Sequence, residues 1–300
     1  MTSMTPQAQA IVSAHQALAL TVPHSSATNP AVVPEGGEVY AHAKAACLAL
    51  GFIDIDAECV ARAWQAMVNR TGDFNPTHWP DQAVDFGMRP WPRTDAFLPC
   101  PKRLGLYAVL PDAAWVGRMA RAGVPTVQLR FKSDDAQAVK QEVQAAVAAV
   151  QGTSALLFIN DHWQAAIEAG AYGVHLGQED MDSAAIDVIR AAGLRLGLSS
   201  HGYAEMMRAD ALSPSYIAMG AVFPTTLKRM VTPPQGTARL HAYAKLMRDY
   251  PLVAIGGIDA YKFPQVLSSG VSSVAVVRAI TGAENPEAAA AELQHCLSSF

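Results

Sequence analysis

Basic residues are missing from the first 43 positions, which hold neither lysine nor arginine. A secretory signal opens on a positively charged stretch, so a cytoplasmic address is expected. Long apolar runs are missing too. The longest are strand-sized and broken by Lys, Glu, Gln or Gly, short of the roughly 20 residues that cross a bilayer, so no membrane association is expected. Cysteine is scarce: Cys47, Cys59, Cys100 and Cys296 never stand in CxxC spacing, which argues against a zinc site and against a disulfide framework. A basic excess is also absent. The formal net charge of -4 argues against nucleic acid as the main partner. A small anionic ligand remains open, because it needs only a local group of cations inside a pocket.

What is present is apolar material, 51% hydrophobic against 16% charged over 300 residues, enough for one large domain plus an appendage. Residues 1–37 are rich in Ala, Ser, Thr and Pro and read as a mostly flexible segment with room for one short helix. Residues 38–103 read as a second part. Two helical patterns flank Gly51, with Asp54 or Asp56 as cap of the second, and a Pro-rich arm carrying Trp79 and Trp91 follows.

From residue 104 to 300 the texture changes to short runs rich in Val, Ile and Leu, each followed by an Ala-rich segment with helical spacing. The runs are LGLYAVL (104–110), TVQLRF (126–131), ALLFI (155–159), GVHLG (173–177), RLGLSS (195–200), YIAMGAVF (216–223), PLVAI (251–255) and SSVAVV (272–277). Strands that are apolar on both faces and alternate with helices imply a parallel sheet, and eight repeats favour closure into a (β/α)8 TIM barrel.

In such a barrel the C-terminal strand ends open on one face, so polar residues there converge although they are distant in sequence. Strand 2 runs Gln128-Leu129-Arg130-Phe131-Lys132, and a period of two puts Gln128, Arg130 and Lys132 on one side. Strand 3 ends in Asn160-Asp161, and Asp180 follows strand 4; the two acids either share one Mg2+ or cap the helices that follow them. His175 and His201 read equally well as core or rim histidines. Ser199 closes strand 5, Thr225, Thr226, Leu227 and Lys228 follow strand 6, Gly256-Gly257 ends strand 7, and Val277-Arg278 ends strand 8. The last two loops are where barrels of this kind hold a phosphate.

The stretches GVPTVQLRFK, LLFINDHWQAAIEAGAYGVHLGQEDMD, LRLGLSSH, PSYIAMGAVFPTTLKRM and VAIGGI with AVVRAI resemble, in order, the motifs of thiamine-phosphate synthases over residues 100–282. The resemblance implies a transferase that joins a hydroxymethylpyrimidine diphosphate to a thiazole phosphate, or its carboxylated form, and releases pyrophosphate. It implies Mg2+ on Asp161 and Asp180. The pyrimidine diphosphate would lie on the segment Gln128, Leu129, Arg130, Phe131 and Lys132 with Asn160, Ser199 and Lys228. The thiazole phosphate would lie on Thr225, Thr226, Leu227, Gly257, Val277 and Arg278. Arg130, Lys132 and Lys228 would carry the catalysis by charge. Leu227 stands where the family commonly has a threonine, and Arg278 where it commonly has a serine. Residues 38–70 faintly resemble the last helices of hydroxymethylpyrimidine kinase, with no ATP-binding segment before them. Two rival readings are a thiazole-phosphate tautomerase-like barrel and a non-catalytic binder of thiamine precursors. The expected partners are small molecules, and a homo-oligomer is compatible with the sequence.

Overall fold

The computed structural model describes residues 4–20, 37–225 and 232–299. The chain divides into two compact units, residues 1–93 with 202–211, and residues 94–201 with 212–300.

The second unit is a closed barrel of eight parallel strands, hydrogen-bonded in sequence order with the first pairing the last. They are β1 (Gly105–Leu110), β2 (Thr126–Leu129), β3 (Leu156–Asn160), β4 (Gly173–Leu176), β5 (Arg195–Ser200), β6 (Tyr216–Met219), β7 (Leu252–Ile255) and β8 (Ser273–Val276). Nearly every strand residue is buried, as both faces are covered: side chains fill the inside and helices pack outside. The inward cluster includes Tyr107, Val109, Phe158, Tyr216, Val253 and Ala275, so the barrel is a packed core below its mouth.

The helices begin where the sequence supplies caps. Asp112 accepts from the Trp115 N–H at 2.8 Å ahead of Ala113–Arg121, and Asp135 accepts from the Gln137 N–H at 2.9 Å ahead of Ala136–Ala149. The helix Trp163–Ala169 stops at Gly170, whose φ of 69° is the left-handed turn that glycine enters without steric cost. After β4 the chain forms two short helices, Asp180–Ser183 and Ile186–Ala191, with Ala184 extended between them.

The first unit holds the helices Pro6–Ala14, Gly37–Ala49, Asp54–Thr71 and Tyr203–Ala211, and a 3-10 turn at Ala83–Phe86. Ala43, Ala46 and Cys47 are buried on the second of these, and Ala57, Val60, Ala61 and Trp64 on the third. One expectation fails locally. Neither Asp54 nor Asp56 caps the third helix, whose N-cap is Ile53 without a side-chain bond. Both acids lie in the first turn, where the helix dipole favours them, and Asp56 turns instead to the N-terminus of Tyr203–Ala211, accepting from the Ala204 N–H at 2.8 Å. That helix is gripped further. Trp79 donates its indole N–H to the Tyr203 hydroxyl at 2.8 Å, Phe86 stacks on the Tyr203 ring, and Arg93 pairs with Asp210 at 2.8 Å with both side chains almost fully buried.

Candidate active site

The C-terminal ends of the strands surround a cavity of about 850 Å³. From β2, Gln128 lines it while Leu129 is buried away from it. The strand stops at Leu129, but the Arg130 N–H bonds the Leu110 carbonyl at 2.8 Å, which carries the extended course one step further. Arg130 and Lys132 therefore line the same cavity as Gln128. Phe131 is not part of the lining, and its carbonyl lies 3.0 Å from the His162 ring nitrogen Nε2.

Asn160 and Asp161 enter from the end of β3. Asp161 has φ 63°, a left-handed backbone that few residues other than glycine adopt, with Asp among the tolerated ones. Its N–H is tied to the His175 carbonyl at 3.0 Å, so the surroundings hold the unusual conformation. The Lys132 ammonium donates to the Asp161 carboxylate at 2.5 Å. Asp180 reaches the same spot from beyond β4, its carboxylate accepting from the Gly177 N–H at 3.1 Å. A Cβ on residue 177 would lie 2.9 Å from that carboxylate oxygen, so glycine permits the close approach. Burial, then the neighbouring Asp161 charge, raises the Asp180 pKa, against the lowering by the Gly177 N–H and Lys132. Two carboxyl groups pressed together, with one ammonium beside them, form an all-oxygen acceptor set that favours a hard cation. Among the described residues no three His, Cys, Asp or Glu side chains come together as a metal cage.

The opposite rim is lined by Thr225, Gly257, Val277 and Arg278. Gly257 has φ 65°, and a Cβ there would lie 2.4 Å from the Pro224 carbonyl oxygen. Both the dihedral and the space require glycine, which leaves the backbone open to a ligand. A short helical turn begins at Arg278. Thr226, Leu227 and Lys228 lie outside the described residues.

Between the two rims runs a feature absent from the strand-end reading. Gln128 donates to the Tyr107 hydroxyl at 2.9 Å, which meets the Tyr216 hydroxyl at 2.7 Å. Tyr216 meets His175 Nδ1 at 2.7 Å, and His175 Nε2 meets the Ser199 hydroxyl at 2.8 Å. Tyr107 and Tyr216 sit inside apolar runs and look like core. The usable signal was Gly197, mid-strand and opposite Tyr216, where a Cβ would fall 2.1 Å from the phenol ring. Lys262 was also missed. It lies a turn beyond β7, lines the cavity, and donates to the Gly257 carbonyl and the Asp259 carboxylate, each at 2.7 Å.

Fold and rim together define a (β/α)8 barrel with a cation-lined, carboxylate-paired mouth, an architecture suited to phosphorylated small molecules. Residues 106–280 match the family model described as thiamine monophosphate synthase. Thiamine-phosphate synthase of Neisseria meningitidis serogroup A is 58% identical over 192 residues, 64% of this chain and 94% of that protein. The Yersinia pestis enzyme of the same name is 49% identical over 204 residues, 68% of this chain and 95% of its own length. A solved thiamine phosphate pyrophosphorylase from Pyrococcus furiosus superposes with a TM-score of 0.57 at 28% identity, over 65% of this chain and 96% of that one. The chain belongs to the thiamine monophosphate synthase family.

Proposed function

We propose that this chain makes thiamine phosphate, condensing a hydroxymethylpyrimidine diphosphate with a thiazole phosphate, or with its carboxylated form, which also loses CO2, and releasing pyrophosphate. The observation that carries the reading is that Lys132, Asp161 and Asp180 meet at one rim of a single cavity whose other rim is built from Gly257, Val277 and Arg278. One anion-binding region per substrate is what a condensation of two phosphorylated partners needs.

In this reading the bond between the pyrimidine methylene carbon and the diphosphate oxygen breaks, and its electron pair leaves with pyrophosphate. The thiazole nitrogen lone pair then forms the new bond to that carbon. No general base is required, so the protein's task is to stabilise charge on the leaving oxygens. Arg130 and Lys132 stand at that rim, and Lys228 is assigned the same task. Asp161 and Asp180 are assigned to Mg2+, which their crowded carboxylates fit and which when bound would supply positive charge to the diphosphate. Gln128, Asn160 and Ser199 are assigned to the pyrimidine diphosphate, with backbone at Leu129 and Phe131. Thr225, Thr226, Leu227, Gly257, Val277 and Arg278 are assigned to the thiazole phosphate, with the Arg278 guanidinium assigned to take the place of the hydroxyl that a threonine at 227 would supply. A biosynthetic reaction on small phosphorylated precursors fits the cytoplasm as the place of work; no helix among the described residues is long and apolar enough to cross a membrane.

The test is direct turnover with both precursors and Mg2+. Stoichiometric pyrophosphate and thiamine phosphate support the synthase. Isomerisation of the thiazole alone would favour a tautomerase, and saturable binding without product a non-catalytic binder; either outcome rejects the proposal.

A further inference from the structure

We propose that Tyr107, Tyr216 and His175 form a directional hydrogen-bond relay that couples recognition of the ring at Gln128 to recognition of the anion at Ser199, and that the two phenols are positioning residues for specificity. The proposal rests on the functional reading above for its substrate, and on geometry alone for the relay. The path crosses the barrel interior from β2 through β1 and β6 to β4 and β5, and each of its five side chains lines the cavity.

The direction follows from counting protons. The Gln128 amide nitrogen only donates, so the Tyr107 oxygen accepts from it at 2.9 Å. Tyr107 is 1% exposed and Tyr216 fully buried, so a hydroxyl proton without an acceptor would be costly there. Burial also pushes both phenols above their ordinary pKa, which keeps each proton in place. Tyr107 therefore donates to Tyr216, Tyr216 donates to His175 Nδ1, and the imidazole carries its N–H on Nε2, directed at Ser199. The Ser199 oxygen is then an acceptor, and its own proton is left for the cavity. A second N–H on His175 Nδ1 would reverse the first steps and strand the Tyr107 proton against a donor.

The two ends are thereby linked. The Ser199 hydroxyl offers a proton to an anion, and the Gln128 amide, with its nitrogen committed to Tyr107, offers its carbonyl oxygen to a ligand donor such as an exocyclic amine. A ring bearing an oxo group at that position would present an acceptor instead. Gln128 would have to turn its nitrogen towards the ligand and its oxygen towards Tyr107. Every bond in the relay would then reverse, and the Ser199 lone pair would face the anion. The far end of the ligand would reject what the near end had accommodated. A polar site built this way rejects the mismatched analogue more strongly than a greasy pocket does, because the mismatch leaves buried groups unpaired.

Two measurements on the full chain test this. The ring 15N shifts of His175, assigned with His175→Asn, are expected to report the Nε2–H form; the Nδ1–H form or a doubly protonated ring would overturn the relay. Separately, kcat/KM is compared for the pyrimidine diphosphate and for its analogue with oxo in place of the amine. The unaltered protein is expected to prefer the amine by about 100-fold or more. Tyr216→Phe and Tyr107→Phe, which keep the rings that fill the core, are expected to lower that ratio at least tenfold. An equal fall in both rates with the ratio unchanged would mean that the phenols serve folding only, and would refute the proposal. Should the unaltered protein make no thiamine phosphate, the functional reading fails alone, and the His175 tautomer still decides the relay.

Discussion

At the scale of single residues, the proposed chemistry reduces to charge held at fixed points. Asp180→Ala and Lys132→Ala are each expected to leave a folded protein whose turnover falls roughly 100- to 1,000-fold, the cost of losing one preorganised electrostatic group, about 3–4 kcal/mol of barrier. Steady-state rates beside a circular-dichroism melt check this, and near-normal rates in both variants would reject the assignments. A second residue-scale prediction concerns Glu58. It is partly desolvated, which raises its pKa, but bonds from Tyr40, Lys44 and Arg62 outweigh that and hold it at about 2, below the ordinary 4.5. A depressed carboxyl stabilises the fold above its unfolded value, and loses that contribution as pH falls from about 4.5 towards about 2. The group is largely solvent-screened, so the effect is small. Glu58→Gln should melt slightly below the parent at pH 7, with the gap narrowing below pH 4.5 and closing only near pH 2; a gap independent of pH would refute it.

At the scale of elements, the strands were legible because burial on both faces writes an uninterrupted apolar run. Two things were hidden. Asp56 has the position of a local cap but serves a helix about 150 residues away, a choice made by tertiary packing. Tyr107 and Tyr216 carry hydroxyls that matter only because strands distant in sequence bring them within 2.7 Å of each other. The rim residues Gln128, Arg130, Lys132, Asn160, Asp161 and Asp180 were readable as candidates since strand ends share one face, whereas Lys262 lies a turn beyond the window that logic searches. The loop after β7 yields its own prediction. Gly257→Ala would force a methyl towards the Pro224 carbonyl in a left-handed backbone, so the loop must move. KM for the thiazole phosphate is expected to rise about tenfold or more, with the pyrimidine KM changed far less. Equal changes in both would contradict the separation of the two phosphate regions.

At the scale of the molecule, the first unit holds the helix Tyr203–Ala211 through the Asp56 cap, the Trp79 bond and the buried Arg93–Asp210 pair. A chain beginning at Thr94 would lose all three partners. The helix would lose its cap, worth about 1 kcal/mol, together with the packing that covers Tyr203 and Asp210. Such a chain is therefore expected to melt many degrees lower or to aggregate, as calorimetry and size-exclusion chromatography would report. Unchanged melting would show that the helix needs none of these contacts.

Because the unit formed by the first 93 residues borrows ten residues from far downstream, no single scission divides this polypeptide into two self-sufficient pieces. The protein is interleaved in the manner of a discontinuous domain. A ribosome must deliver residue 211 before the leading unit can finish, so its folding waits on synthesis of five of the eight strands.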